Sequence, residues 1–160
     1  MRIKMLVEED FTNYKKAAMF IGTISCGGKC CTEAGIPLSV CQNDGWRSCN
    51  AIHMENKDLI ARYIDNDITH AIVFGGLEPF EQFHEVYDFI KELREYGCDD
   101  DVVIYTGYYK HEIARDVEKL SEFPNIVIKF GRFVPDSKSR YDEVLGITLV
   151  SENQYAERIS

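Results

Sequence analysis

Apolar residues fall along this chain in two alternating rhythms. Short unbroken apolar runs are separated by longer stretches in which apolar residues recur every three or four positions. "AAMFIGTIS" (17–25), "HAIVFGG" (70–76), "DVVIYTG" (101–107) and "NIVIKFG" (125–131) are runs of the first kind and read as buried strands. "LGITLVS" (145–151) is one more candidate strand. "KDLIARYI" (57–64) puts Leu59, Ile60, Tyr63 and Ile64 on one helical face. In "PFEQFHEVYDFIKELREYG" (79–97), Phe83, Val86, Tyr87, Ile90 and Leu93 keep the helical period, and Gly97 is placed to end it. "KHEIARDVEKLSEF" (110–123) repeats the period through Ile113, Val117 and Leu120.

Strand, helix, strand, helix, strand predicts an α/β fold: a mostly parallel sheet of about five strands joined by right-handed crossover helices. No repeat, low-complexity tract or linker interrupts the pattern, so a single domain over residues 1–160 is expected. Ligands of such sheets gather beyond the carboxyl ends of the strands. Three loops follow strands directly: the one after residue 25, "GGLEP" and "TGYYK". All three should open onto one edge of the sheet.

Composition narrows the function classes. The formal net charge of -9 argues against a nonspecific nucleic-acid binder, whose phosphate contacts need a basic face. No segment approaches the ~18 consecutive apolar residues of a membrane span, and the first apolar run is too short for a signal peptide. A cytosolic protein is expected, and there clustered thiols are metal ligands or reactive groups more often than disulfides.

The candidate chemistry starts in "SCGGKCCTEAGIPLSVCQNDGW" (25–46), which holds four of the six cysteines: Cys26, Cys30, Cys31 and Cys41. Thiolates of this kind hold iron–sulfur clusters. Three thiolates on a four-iron cluster leave one iron with an open position, where a substrate can bind the metal directly. Zinc is the plainer reading, but zinc takes paired ligands two to four residues apart, and only Cys26 with Cys30 or Cys31 makes such a pair. Past the glycines Gly75 and Gly76, Glu78 is placed to accept hydrogen bonds from an ammonium group, and equally to cap the helix beginning near Pro79.

Taken in order, these stretches resemble the activating protein of anaerobic (class III) ribonucleoside-triphosphate reductase, a small radical S-adenosylmethionine (SAM) enzyme. The strand running into Cys26 and Cys30 resembles the family's first strand and first two ligand cysteines. "CQNDGW" resembles its last ligand cysteine, followed by Asn and then Trp. "GGLEPF" resembles the motif that holds the SAM amino group, "VVIYTGYYKHEI" the strand ending in Thr-Gly-Tyr, and "GRFVPD" with "SENQY" its closing segments.

The chain departs from the family pattern in two places. Thr32 and Glu33 stand where the third cysteine should follow, so the third ligand is carried onto Cys41, with an insertion inside the loop. Leu77 is an extra residue before Glu78. The resemblance therefore implies a divergent member with a partial (β/α) barrel. It implies Cys26, Cys30 and Cys41 as ligands of a [4Fe-4S] cluster, with Cys31 an alternative to Cys30. It places SAM against Gly75, Gly76, Glu78, Thr106 and Gly107. It implies a partner too, a glycyl-radical enzyme resembling anaerobic ribonucleotide reductase, with a reductant such as flavodoxin.

Other residues carry less. Tyr108 or Tyr109 is a candidate adenine contact, although tyrosines at such positions usually pack. Cys49 and Cys98 read as plain small residues. The four histidines share no spacing, and "CDDD" (98–101) reads as a solvated loop. Two rival readings stay open: a cluster-bearing electron-transfer module without SAM chemistry, and a zinc-stabilised interaction domain.

Overall fold

The computed structural model describes all 160 residues. Four strands form the parallel core of the main sheet: β3 (Ala18–Thr23), β5 (Ala71–Gly76), β6 (Asp101–Tyr105) and β7 (Ile126–Phe130). They pair in the order β3-β5-β6-β7, as crossover units require. An antiparallel strand closes each edge, β2 (Met5–Asp10) beside β3 and β10 (Tyr155–Arg158) beside β7. The sheet thus has six strands, in the order β10-β7-β6-β5-β3-β2, and fits a partial barrel. Two short pairs lie outside it. One joins β1 (Arg2–Ile3) to β4 (Ile52–His53), the other β8 (Arg140–Asp142) to β9 (Ile147–Leu149). The run at 145–151 therefore belongs to a small hairpin and not to the main sheet.

The parallel strands read as continuous apolar runs because both their faces are covered. Ile21, Ile72, Phe74, Ile104 and Ile128 face the helices α3 (Asn56–Ile64), α4 (Phe83–Glu95) and α5 (Ala114–Leu120). Leu59, Ile60, Tyr63, Val86, Phe89, Ile90, Leu93, Val117 and Leu120 pack against them from those helices. Ile64, expected on the buried face of α3, is 39% exposed because it stands in the last helical position. Pro79–Gln82 forms a separate 3-10 turn ahead of α4, and Lys110–Glu112 another ahead of α5.

The opposite face carries Phe20, Val73, Val103 and Val127. Leu145 and Leu149 of the β8–β9 hairpin cover it together with Tyr14. The carboxyl ends of β5 and β6 open onto a cavity lined by Gly75, Gly76, Tyr105 and Thr106. "CDDD" is not wholly solvated: Asp101 opens β6 at 5% exposure. Lys16, Arg158 and the Tyr14 hydroxyl satisfy its carboxylate at 2.6, 2.7 and 3.0 Å. A buried carboxylate persists because it is paired and hydrogen-bonded. No helix is long and apolar enough to cross a membrane.

Candidate functional site

The cysteine loop begins where β3 ends. Gly28 takes a left-handed conformation (φ 74°) and turns the chain into α1 (Lys29–Ala34), which carries Cys30 and Cys31. A 3-10 turn, Leu38–Val40, then delivers Cys41, and α2 (Asp44–Arg47) follows. Polar groups hold the loop against the β5 exit. Glu78 N donates to Ser25 O at 2.7 Å and Ile24 N to Gln82 Oε1 at 3.0 Å, while Glu81 accepts from Ser25 Oγ at 2.9 Å. Arg47 Nη1 donates to Cys26 O at 2.5 Å and ties α2 back to the loop's start.

Cys26, Cys30, Cys31 and Cys41 all line one cavity of about 450 Å³, a size typical of cofactor pockets. Cys31 is the most enclosed, at 4% exposure. Burial pushes the thiols of Cys26, Cys30 and Cys31 above the ordinary thiol range. Their protons would leave on metal binding. No three His, Cys, Asp or Glu side chains converge on the position of a single ion. The Cys41 side chain stands beside Cys31 and helps to raise its thiol.

The same cavity is lined by Gly75, Gly76, Glu78, Thr106 and Gly107, so the three strand-end loops meet as topology requires. Gly76 adopts φ 80°, which a side chain would strain. At Gly107 the need is for space: a Cβ there would stand 2.6 Å from Cys30 Sγ. Glu78 is 7% exposed. It accepts from Thr106 Oγ1 at 2.7 Å, Gly107 N at 2.9 Å and Phe80 N at 3.2 Å, so it both caps the turn at Pro79 and links two loops. Burial raises its pKa to about 6, against the opposing pull of those donors.

Lys129, which the sequence pattern did not single out, and Gln154, from the "SENQY" segment, complete the wall. Lys129 is 7% exposed on β7, and its ammonium donates to Gly131 O at 2.8 Å. Burial lowers its pKa to about 8, opposed by the charges of Cys30 and Glu78. A charged letter inside the apolar run "NIVIKFG" was the available signal. Gln154 also lines the cavity and donates to Gly131 O at 3.3 Å. Tyr108 and Tyr109 do not line it, whereas Tyr105 does. Tyr109 lies under Arg132, whose guanidinium carbon is 4.6 Å from the ring centre.

Soft sulfur donors in this number suit an iron–sulfur cluster, and the cavity of about 450 Å³ that they line leaves room for one. Residues 29–155, about four-fifths of the chain, match the family model described as a 4Fe-4S single cluster domain. The chain belongs to this family. The 4Fe-4S single cluster family is typical of radical SAM activases. The matched segment includes Cys30, Cys31 and Cys41 with the "GGLEP" and "TGYYK" loops, and begins three residues after Cys26. No curated protein and no solved structure matches the chain.

Proposed function

We propose that this protein is a radical SAM activase that installs a glycyl radical on a partner enzyme. The convergence of the cysteine loop, "GGLEP" and "TGYYK" on one cavity is the observation that carries the reading. Cys26, Cys30 and Cys41 would hold the [4Fe-4S] cluster. When bound, these cofactors would supply one-electron cleavage of SAM to methionine and a 5′-deoxyadenosyl radical, with the electron drawn from a reductant such as flavodoxin.

The protein's own part is placement. Gly75, Gly76 and Gly107 line the cavity where an amino-acid group would bind, and Glu78 orders the loops that carry them. Lys129 spends one donor on Gly131 O and offers its charge to a carboxylate in the cavity. Val40, Phe133 and Val150 line the cavity yet are 56%, 39% and 52% exposed. An apolar rim of this kind supports a substrate delivered on a protein loop that covers the site and excludes water. A glycyl-radical reductase, mixed with the reduced, SAM-loaded protein, should acquire a radical signal. A partner variant lacking the acceptor glycine should acquire none, and a signal that persisted in that variant would refute the pairing.

A second reading is favoured by Cys31. With four thiols on the wall, all four irons can be ligated by protein, which would leave an electron-transfer module with no position for SAM. Addition of SAM would leave the spectrum of such a cluster unchanged.

A further inference from the structure

The helix that carries Cys30 and Cys31 has few apolar anchors: Cys31 is its only buried residue. Charge fixes it instead. Lys29 and Glu33 flank the two cysteines on α1, and they reach Glu112, beyond β6, and Arg132, beyond β7. Arg132, just beyond β7, is 4% exposed. It donates from Nη1 and Nη2 to Glu112 Oε2 and Oε1 at 2.8 and 2.6 Å. It also donates from Nη2 to Glu33 Oε1 at 3.0 Å, while Nε stands 2.7 Å from Glu33 Oε2, off the line of a hydrogen bond. Lys29 Nζ adds a contact to Glu112 at 2.5 Å. Two cations and two carboxylates thus close a neutral network across three loops. Tyr109 supports the guanidinium from below, and Asn153 Nδ2 holds Arg132 O at 3.0 Å and Tyr109 Oη at 3.3 Å.

We infer that Arg132 is the positioning residue of the cysteine helix: by gripping Glu33 and Glu112 at once, it holds Cys30 and Cys31 against the ends of β6 and β7. A fork of donors is needed, because a lysine presents one point charge and cannot grip both carboxylates with fixed geometry. The grip matters because the helix is short, and a helix of this length does not persist without tertiary contacts. What the positioned thiols then hold rests on the cluster reading above, but their position does not.

The test separates the two. Alkylation rates of Cys30 and Cys31 are read by peptide mass spectrometry in the metal-free chain, with Cys98 as an internal reference. Glu33 is the safer variant, since its side chain is 48% exposed and Glu33→Gln cuts the link while leaving Arg132 on Glu112. Glu33→Gln and Arg132→Gln should each raise the rate at Cys30 and Cys31 about tenfold relative to Cys98, because local opening becomes easier. The double variant should do no more than the faster single one, since both act through one contact. Arg132→Lys should recover only part of the protection. On the reconstituted protein, the same variants should broaden or shift the paramagnetic resonance of the reduced cluster. Unchanged alkylation in Glu33→Gln, or additive effects in the double variant, would overturn the inference. If the wild-type chain takes up no cluster, the functional reading fails, and alkylation still decides the positioning role.

Discussion

Glu78 and Thr106 are joined directly, the Thr106 hydroxyl donating to Glu78 Oε1 at 2.7 Å. The contact links the loop after β5 to the loop after β6, with Gly107 N on the second carboxylate oxygen at 2.9 Å. Glu78 is therefore a group that organises the cavity floor from below, with its carboxylate already engaged by protein donors.

That engagement has a pH signature. Burial holds the Glu78 pKa at about 6, above the ordinary ~4.3 of a glutamate. The folded state therefore keeps a proton that the unfolded chain has released. Its contribution to stability is complete below about pH 4.3 and is lost as pH rises through about 6. In Glu78→Gln this titration is absent. The stability of wild type relative to Glu78→Gln should fall by about 2 kcal/mol between pH 4 and pH 7. Urea unfolding of both proteins across that range checks it, and a flat difference would contradict it.

Gly107→Ala should disable the thiol beside it without disturbing the fold. The added Cβ would meet Cys30 Sγ at 2.6 Å, so the sulfur must move, while no positive φ strains the backbone. Iron and sulfide per chain after anaerobic reconstitution should fall to less than about half of wild type, with the melting temperature within about 4 °C. Full cluster content in the variant would show that Cys30 does not need its present position.

Alanine substitution of single cysteines separates ligands from bystanders. Cys26→Ala, Cys30→Ala and Cys41→Ala should each lose the four-iron signal, and Cys31→Ala should keep it. Loss in Cys31→Ala with retention in Cys30→Ala would exchange their roles. The sequence carried the order and number of these thiols but not the choice between neighbours. Cys30 and Cys31 are consecutive on α1, and both reach the cavity because α1 lies along its rim.

The parallel strands were easier to read, because burial on both faces leaves an unbroken apolar run with nothing else to explain it. The edge strands β2 and β10 leave no such run in the sequence. "MLVEED" and "YAER" are half-exposed and polar, and pairing with a neighbour specifies them more than composition does. Asp101 and Arg132 escaped for a related reason. A charged residue looks solvated until its partners are known, and those partners lie far away in the chain, at Arg158 and Lys16 for the first and at Glu33 for the second.

Lys129 is retained at a cost in stability. Its pKa is lowered to about 8, from an ordinary ~10.4, by burial. The stabilising share is present above about pH 10.4 and is lost as pH falls through 8, so at pH 7 the buried charge costs about 3 kcal/mol. Lys129→Met should be more stable than wild type at neutral pH, with the gap narrowing above pH 8 in chemical denaturation. It should also bind SAM more weakly. A variant less stable than wild type at pH 7 would contradict the burial argument.

The most direct measurement is paramagnetic resonance of the anaerobically reconstituted, reduced protein before and after SAM. The reconstituted protein should hold about four irons per chain, its spectrum should change when SAM is added, and 5′-deoxyadenosine should appear among the products. A chain that takes up no such cluster, or a reduced cluster whose spectrum ignores SAM and leaves it intact, would contradict the radical SAM reading.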